Sequence, residues 1–178
     1  MDGRMVPTDI MIPAWVDGTL TPVEKLCAHQ RGLRHLAISV FVIRDGAILI
    51  QRRAMGKYHT PGLWANTCCT HPAWGEAALD CAHRRLSEEL GITGLTLRHR
   101  GQVEYRADVG NGLTEHEVVE VFTAAADHGM PLAPNPDEVM DTRWITPEAL
   151  AAEIAEKPDQ FTPWLRIYIE KHHKMILG

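Results

Sequence analysis

Two consecutive β-rich segments constrain the fold of this chain more than any other feature. The segments AISVFVI (37–43) and AILIQRR (47–53) are rich in Ile, Val and Phe, which favour strands. Only Arg44, Asp45 and Gly46 separate them, and an Asp-Gly pair is a strong signal for a tight turn. The sequence therefore predicts an antiparallel β-hairpin in the first third of the chain.

The segments after this hairpin predict further strands around one central helix. Residues 57–75 contain glycine and proline without sustained periodicity, which indicates an ordered, functional loop. Residues 76–90 predict the clearest helix, which ends before Gly91. Its expected apolar stripe consists of Ala78, Leu79, Ala82, Leu86 and Leu90.

The second half of the chain predicts more strands and then closing helices. Strands are expected at 96–108, 115–126 and 140–145, with the segment VGNG as a turn, and helices at 147–156 and after Thr162-Pro163. The first 30 residues carry no strong pattern. This order predicts a single α+β domain over residues 1–178, a mixed and largely antiparallel sheet flanked by helices.

Composition and charge exclude several classes of function. The net charge of −5 argues against general nucleic-acid binding. The longest apolar run, from Leu36 to Ile43, is far shorter than the roughly 20 residues that span a membrane. The first ten residues lack the features of a signal peptide, so we expect a cytoplasmic protein. The four cysteines are then expected to be free thiols.

Carboxylates and histidines in this chain predict a cation site. Glu115 and Glu117 would share one face of a strand with Val119 and Val121, and carboxylates on an inward face need a cation or proton partners. His29, His35 and His71 could add imidazole nitrogen. Such a mixed ligand set suits Zn²⁺, Mn²⁺ or Fe²⁺ better than a purely oxygen-ligated ion. Spacing alone does not bring these five residues together, and each histidine taken singly could be a surface residue.

The helix carries charged residues whose plain interpretation is a solvated face with i,i+4 pairs. Together, however, GE…RRLSEELG resembles the signature of the Nudix family, in which glutamates hold a divalent cation on a diphosphate. The matching positions are Glu76, Arg84, Glu88, Glu89 and Gly91, while Thr70 replaces a glycine and Arg85 replaces a metal-binding glutamate. A guanidinium there removes a metal ligand and adds a phosphate clamp, which weakens a hydrolytic site.

Seven segments in order resemble a narrower family, the type 1 isopentenyl-diphosphate isomerases, over about residues 17–164. The segments are HLAISVF, NTCCTHP, RRLSEELG, VEYRAD, EHEVVEVF, DEVMDTRWI and FTPW. The resemblance implies a Nudix fold and the interconversion of isopentenyl and dimethylallyl diphosphate by proton addition and removal. It also implies a small-molecule isoprenoid diphosphate as the ligand, and we expect a monomer.

The resemblance also implies roles for particular residues. Cys69, Glu117 and Tyr105 would be catalytic, with Glu117 as the acid beside Tyr105 and Cys69 as the base where nearby cations favour its thiolate. One divalent metal, Mn²⁺, Zn²⁺ or Mg²⁺, would bind to His29, His35, His71, Glu115 and Glu117, and a diphosphate-bridging Mg²⁺ to Glu89. Lys25, Arg53, Lys57 and Arg85 would bind the diphosphate, and Trp164 would face its hydrocarbon end. The spacing from His29 to His35 is one residue shorter than in the family, which a shortened loop can absorb.

Two other functions remain open at this level. A Nudix hydrolase would release phosphate, but Arg85 and Cys69 argue against it. A diphosphate sensor would need neither the acid nor the base. Within NTCCTHP, neighbouring residues of an extended segment point in opposite directions, so we predict that Cys68 packs internally while Cys69 acts alone.

Overall fold

The computed structural model describes residues 10–178, and the features expected of the first nine residues lie outside this range. The strands of the described part are β1 Met11–Val16, β2 Thr19–Glu24, β3 Arg34–Arg44, β4 Ala47–Arg53, β5 Trp64–Ala65, β6 Cys68–Thr70, β7 Arg98–Asp108, β8 Thr114–Ala125 and β9 Val139–Ile145. The α-helices are α1 Lys25–Gln30, α2 Ala78–Leu90, α3 Pro147–Glu156, α4 Pro163–Lys171 and α5 His173–Leu177. None of these helices is long and apolar enough to cross a membrane. That residues 1–178 form one domain stays a prediction.

Strand β3 is the centre of the sheet. It pairs antiparallel with β1, β4 and β6, and it runs parallel to β8 from Arg34 opposite His116 to Ile43 opposite Ala125. Strands β7 and β9 extend the sheet antiparallel to β8 and β4. The α+β class is thereby confirmed, with a largely antiparallel sheet and one parallel pair.

The alternation of side chains along β3 divides the core between two faces of the sheet. Ile38, Val40 and Val42 pack with α2, whereas Ala37 and Phe41 pack on the face covered by α4. The face of Phe41 also carries His35 and Ser39, both fully buried. Polar side chains on one buried face of a central strand require partners, and this is where the site lies.

The helix boundaries follow their predicted signals closely. Thr146 and Thr162 cap α3 and α4 as expected, each accepting from a backbone N–H three residues on. Helix α2 begins at Ala78 rather than at residue 76, because the Glu76 carboxylate accepts from the backbone N–H of Ala73 and closes a turn there. It ends at Gly91, which adopts a left-handed φ of 65° and has no room for a Cβ against Ala133.

Three sequence expectations about local structure were wrong. Residues 11–30 form β1, β2 and α1, and the β1–β2 turn is itself an Asp-Gly pair, Asp17-Gly18, with positive φ at both residues. The predicted loop 57–75 contains β5 and β6, which are too short for periodicity to reveal. In α2, Leu79 is 44% exposed, while Glu89 takes a buried position.

Candidate active site

Four predicted metal ligands lie together at the junction of α1, β3, β6 and β8. His29, His35, His71 and Glu115 are buried, and their ligand atoms all lie within 4.8 Å of one another. Oε1 of Glu115 lies 3.0 Å from Nε2 of His29, and its Oε2 lies 3.1 Å from Nε2 of His35. We call these four residues the metal group.

The short loop between His29 and His35 closes without separating the two rings. The backbone N–H of Gly32 donates to His29 O, and that of Leu33 donates to Ala28 O. Gly32 takes a positive φ of 61° to make this turn. The ring centroids of His29 and His35 then lie 4.8 Å apart. The one-residue difference in spacing is therefore absorbed in the loop.

The tautomers of the three histidines fit a metal. Nδ1 of His29 donates to Lys25 O at 2.6 Å, and Nδ1 of His35 donates to Leu33 O at 2.7 Å. Nδ1 of His71 donates to Leu36 O at 3.3 Å. Because a carbonyl can only accept, each ring carries a proton on Nδ1 and turns Nε2, the nitrogen that can bind a metal, towards Glu115. Backbone carbonyls hold metal-binding histidines in this way, so the residues present fit a divalent ion of the transition series.

Glu117 lies at the edge of the metal group and differs from Glu115 in its protonation. Its Oε1 is 3.9 Å from Nε2 of both His35 and His71, and its Oε2 accepts from the Tyr105 hydroxyl at 2.9 Å. Burial and the nearby charge of Glu115 raise the pKa of Glu117 well above its usual range. Burial opposes ionisation of Glu115 too, but hydrogen bonds from its neighbours keep its pKa well below the ordinary value. One carboxyl therefore keeps a proton while the other is a carboxylate.

Strand β6 separates the two adjacent cysteines. Cys68 is fully buried with the side chains under α2, whereas Cys69 lies on the opposite face, next to the metal group. Burial and the charge of Glu117 raise the pKa of Cys69 well above its usual range, although Ser39 lowers it. The charge of Arg53 also lowers it, as expected of a nearby cation, but burial outweighs this charge and favours the thiol over the thiolate.

Four basic residues line the same cavity, and we call them the cationic rim. They are Lys25, Arg53, Lys57 and Arg85. Their proximity is visible at Lys25, where burial and the charges of Lys57 and Arg85 lower the pKa to about 8. Clustered cations of this kind form a seat for a multiply charged anion. Within the protein, Glu138 pairs with Lys57 and lies 3.4 Å from Arg85, which also donates to Glu89 at 2.7 Å.

The cavity joins the cationic rim to the metal group. Ten of the predicted site residues line it: Lys25, Arg53, Lys57, Cys69, His71, Arg85, Glu89, Glu115, Glu117 and Trp164. His29, His35 and Tyr105 contact Glu115 or Glu117 from behind. Trp164 is buried and places its ring 5.4 Å from the Arg53 guanidinium.

Sequence reasoning missed several residues of the cavity. Tyr58, His59 and Thr70 also line it, and Nε2 of His59 approaches Glu115 Oε1 to 2.8 Å. Burial lowers the pKa of His59 to about 4, so its ring is neutral. His59 was visible in the sequence only as one histidine of a crowded segment. Glu138 gave no separate signal, because its pairing with Lys57 depends on residues 81 positions apart.

The fold and the Nudix helix α2 define a Nudix protein, and the NUDIX domain family profile matches residues 33–165. A Deinococcus radiodurans crystal structure aligns with a TM-score of 0.73 at 17% identity over 90% of this chain and 98% of its own. A MutT NUDIX hydrolase from Burkholderia pseudomallei aligns with a TM-score of 0.61 at 27% identity over 78% of this chain and 98% of its own.

Curated relatives define a narrower family. An isopentenyl-diphosphate Delta-isomerase from Cereibacter sphaeroides is 67% identical over 94% of this chain and 95% of its own length. The Rhodobacter capsulatus protein of the same name is 67% identical over 93% and 94%. This chain belongs to the isopentenyl-diphosphate Delta-isomerase family, as the resemblance of its motifs implied.

Proposed function

We propose that this protein interconverts isopentenyl diphosphate and dimethylallyl diphosphate by adding a proton to the alkene and removing another. The observation that carries the proposal is a single cavity whose lining combines Cys69, Glu117 and Trp164 with the cationic rim. This arrangement anchors a diphosphate while its short hydrocarbon end reaches two groups able to exchange protons.

The reaction requires an acid and a base around an unactivated alkene. Glu117 keeps a proton because it is buried beside Glu115, and Tyr105 fixes one of its oxygens. Protonation of the terminal carbon leaves positive charge on the tertiary carbon, which the electron-rich face of Trp164 stabilises. Cys69 then accepts a proton from the next carbon, so that the double bond has moved. This step requires the thiolate, which burial opposes and the charge of Arg53 favours. Burial of Glu117 and Trp164 excludes the water that would trap the cation.

Two divalent ions complete the proposed site. His29, His35, His71, Glu115 and Glu117 would hold a Zn²⁺, Mn²⁺ or Mg²⁺ ion, and Glu89 would hold a Mg²⁺ ion against the diphosphate. When bound, these ions supply positive charge that orients the carboxylates and neutralises the substrate. We further propose a cytoplasmic monomer that acts on this small molecule without nucleic-acid or membrane partners.

Hydrolysis of a diphosphate is the alternative within the Nudix superfamily, and α2 disfavours it. Arg85 stands where the signature has a metal-binding glutamate, and it pairs with Glu88 and Glu89 at 2.7 Å each. The Arg85 guanidinium therefore pairs with the two carboxylates that a cluster of hydrolytic metal ions would need as ligands. A sensor without chemistry would have no use for Cys69 and Glu117 in one cavity.

The direct test is isomer interconversion by the purified protein with Mg²⁺. Starting from either isomer, we expect the same final mixture and no release of inorganic phosphate. Release of phosphate would indicate hydrolysis, and binding of either isomer without turnover would indicate a sensor. Elemental analysis of the same preparation identifies the ion in the metal group.

A further inference from the structure

A buried hydrogen-bonded chain lies behind Cys69. The Tyr168 hydroxyl donates to Ser39 Oγ at 3.0 Å, and Ser39 Oγ lies 3.4 Å from Cys69 Sγ. Ser39 and Tyr168 are both fully buried, and neither lines the cavity. They therefore do not contact a molecule bound in the cavity, and their hydrogen bonds reach the cavity at Cys69.

Two separate elements bring this chain together. The antiparallel register of β3 and β6 sets Ser39 directly opposite Cys69. Tyr168 follows Trp164 by four residues on α4, so one face of that helix carries both side chains to the site. The Tyr168 ring is held by edge contacts with Phe41 at 5.3 Å and Tyr105 at 6.0 Å. Removing its hydroxyl need not disturb this packing.

The hydrogen bonds from Tyr168 through Ser39 to Cys69 run in one direction. Burial raises the pKa of Tyr168 well above its usual range, so the phenol keeps its proton. Ser39 is the hydrogen-bond partner of that phenol among the described residues. If Ser39 donated to Tyr168 instead, the phenol hydrogen would be buried without an acceptor, which is unfavourable. Tyr168 therefore donates to Ser39, and the hydrogen of Ser39 is free to point at the sulfur of Cys69.

We propose that Ser39 and Tyr168 are positioning residues for Cys69, whose sulfur they hold so that the proton it exchanges lies on the side of the cavity. The inference rests on the proposed role of Cys69 as a group that exchanges a proton with the substrate. Ser39 donates to the sulfur before and after that exchange, and no proton passes along the chain. The hydroxyl groups therefore fix the sulfur without competing for the proton it transfers.

The proposed acid, Glu117, is held in a similar arrangement. Tyr105 donates to Glu117 at 2.9 Å, as Tyr168 donates to Ser39. The two tyrosine rings are in edge contact, so one aromatic pair supports both proton-exchanging groups. The difference is that Tyr105 contacts Glu117 directly, whereas Tyr168 reaches the sulfur of Cys69 through Ser39.

The test compares Ser39→Ala, Tyr168→Phe and the double variant in the isomerase assay. We expect Ser39→Ala to lower kcat roughly tenfold and Tyr168→Phe about threefold, with KM within about twofold of wild type, since the diphosphate seat is untouched. The double variant should be no slower than Ser39→Ala, because both substitutions break one chain. Losses that multiply in the double variant would contradict the proposal.

Two control variants distinguish positioning of Cys69 from a general loss of stability. Thr67 is another buried hydroxyl, which donates to Leu49 O at 2.5 Å and accepts from Val42 N at 2.9 Å. Thr67→Val should lower Tm while leaving kcat per folded protein unchanged. If Ser39→Ala behaves in the same way, its role is structural only. If Cys69→Ala turns over normally, the proposed role of Cys69 fails, whereas an inactive Cys69→Ala with fully active Ser39→Ala and Tyr168→Phe overturns the positioning role alone.

Discussion

The two ends of the cavity are built from different kinds of side chain. At the inner end, Glu117 and the metal group are buried and Cys69 is half-buried. All lie on strands or next to them, where backbone carbonyls and hydroxyls fix their orientation. The cationic rim consists of long side chains. Of these, Lys57 and Arg85 are only partly buried and already pair with Glu138 and Glu89.

This difference suggests that one end contributes to the rate of the reaction and the other to substrate binding. A preorganised inner end lowers the barrier of a proton transfer, because its groups need not reorganise during the reaction. The rim must exchange its internal carboxylates for the anion of the substrate, so its contribution is to binding. Substitutions at the inner end should then change kcat, and substitutions at the rim should change KM.

Replacement of Cys69 by alanine gives the largest expected effect on this comparison. Loss of a group that exchanges a proton with substrate carbon should lower kcat by about 10³-fold with little change in KM. Steady-state kinetics with the purified variant measures both parameters. Turnover at the wild-type rate would show that the inner end works without the thiol.

Replacement of His71 by alanine tests whether the inner end depends on a metal. Removing one of three imidazoles should weaken the affinity for the divalent ion by about 100-fold or more, because the remaining ligands are too few. Elemental analysis and competition with a chelator report this independently of activity. His116→Ala is the matched control, since His116 lies on β8 between the two glutamates but faces Glu104 at 3.4 Å. Full metal occupancy in His71→Ala would contradict the assigned ligands.

The sequence predicted those parts of the fold that carry their own local signals. The Asp45-Gly46 turn, the Thr146 and Thr162 caps and the Gly91 end are each specified within a few residues. Strands β1 and β2 were missed because Pro13 and Pro22, which face each other in this hairpin, weaken the strand pattern on both sides of the Asp17-Gly18 signal.

The site was predictable only where a motif named its residues. Motif resemblance identified His29, His35 and Glu115, although 86 positions separate the first from the last. The orientation of their rings, the Glu138 pairings and the Tyr168 to Ser39 bond depend on strand register and helix packing, which spacing does not specify. Charge balance is also a property of the folded site: the sequence shows the cations that favour a thiolate at Cys69 but not the burial that opposes it.

Replacement of Lys25 by methionine tests the cationic rim at a smaller scale. Burial and the neighbouring cations lower the pKa of Lys25 from 10.5 to about 8, so its charge is present below about pH 8 and lost above it. We expect Lys25→Met to raise KM about tenfold at pH 7 with kcat nearly unchanged. In the wild type KM should rise as pH passes 8, and this rise should be absent from the variant. Lys171→Met, at the exposed end of α4, is the control. A fall in kcat at constant KM would break the division between the two ends.

The smallest effect is expected from Cys68→Ala, although Cys68 is the neighbour of Cys69, whose replacement should have the largest effect. Cys68 points away from the cavity into the core beside Leu86, and burial followed by the charge of Glu89 raises the pKa of its thiol well above the usual range. It is therefore an inert packing group, and Cys68→Ala should cost about 1 kcal/mol of folding free energy with kcat and KM within about twofold. Chemical denaturation and the isomerase assay measure the two quantities on one preparation. A Cys68→Ala variant as slow as Cys69→Ala would mean that the backbone of β6, rather than the outward thiol alone, sets the geometry of the inner end.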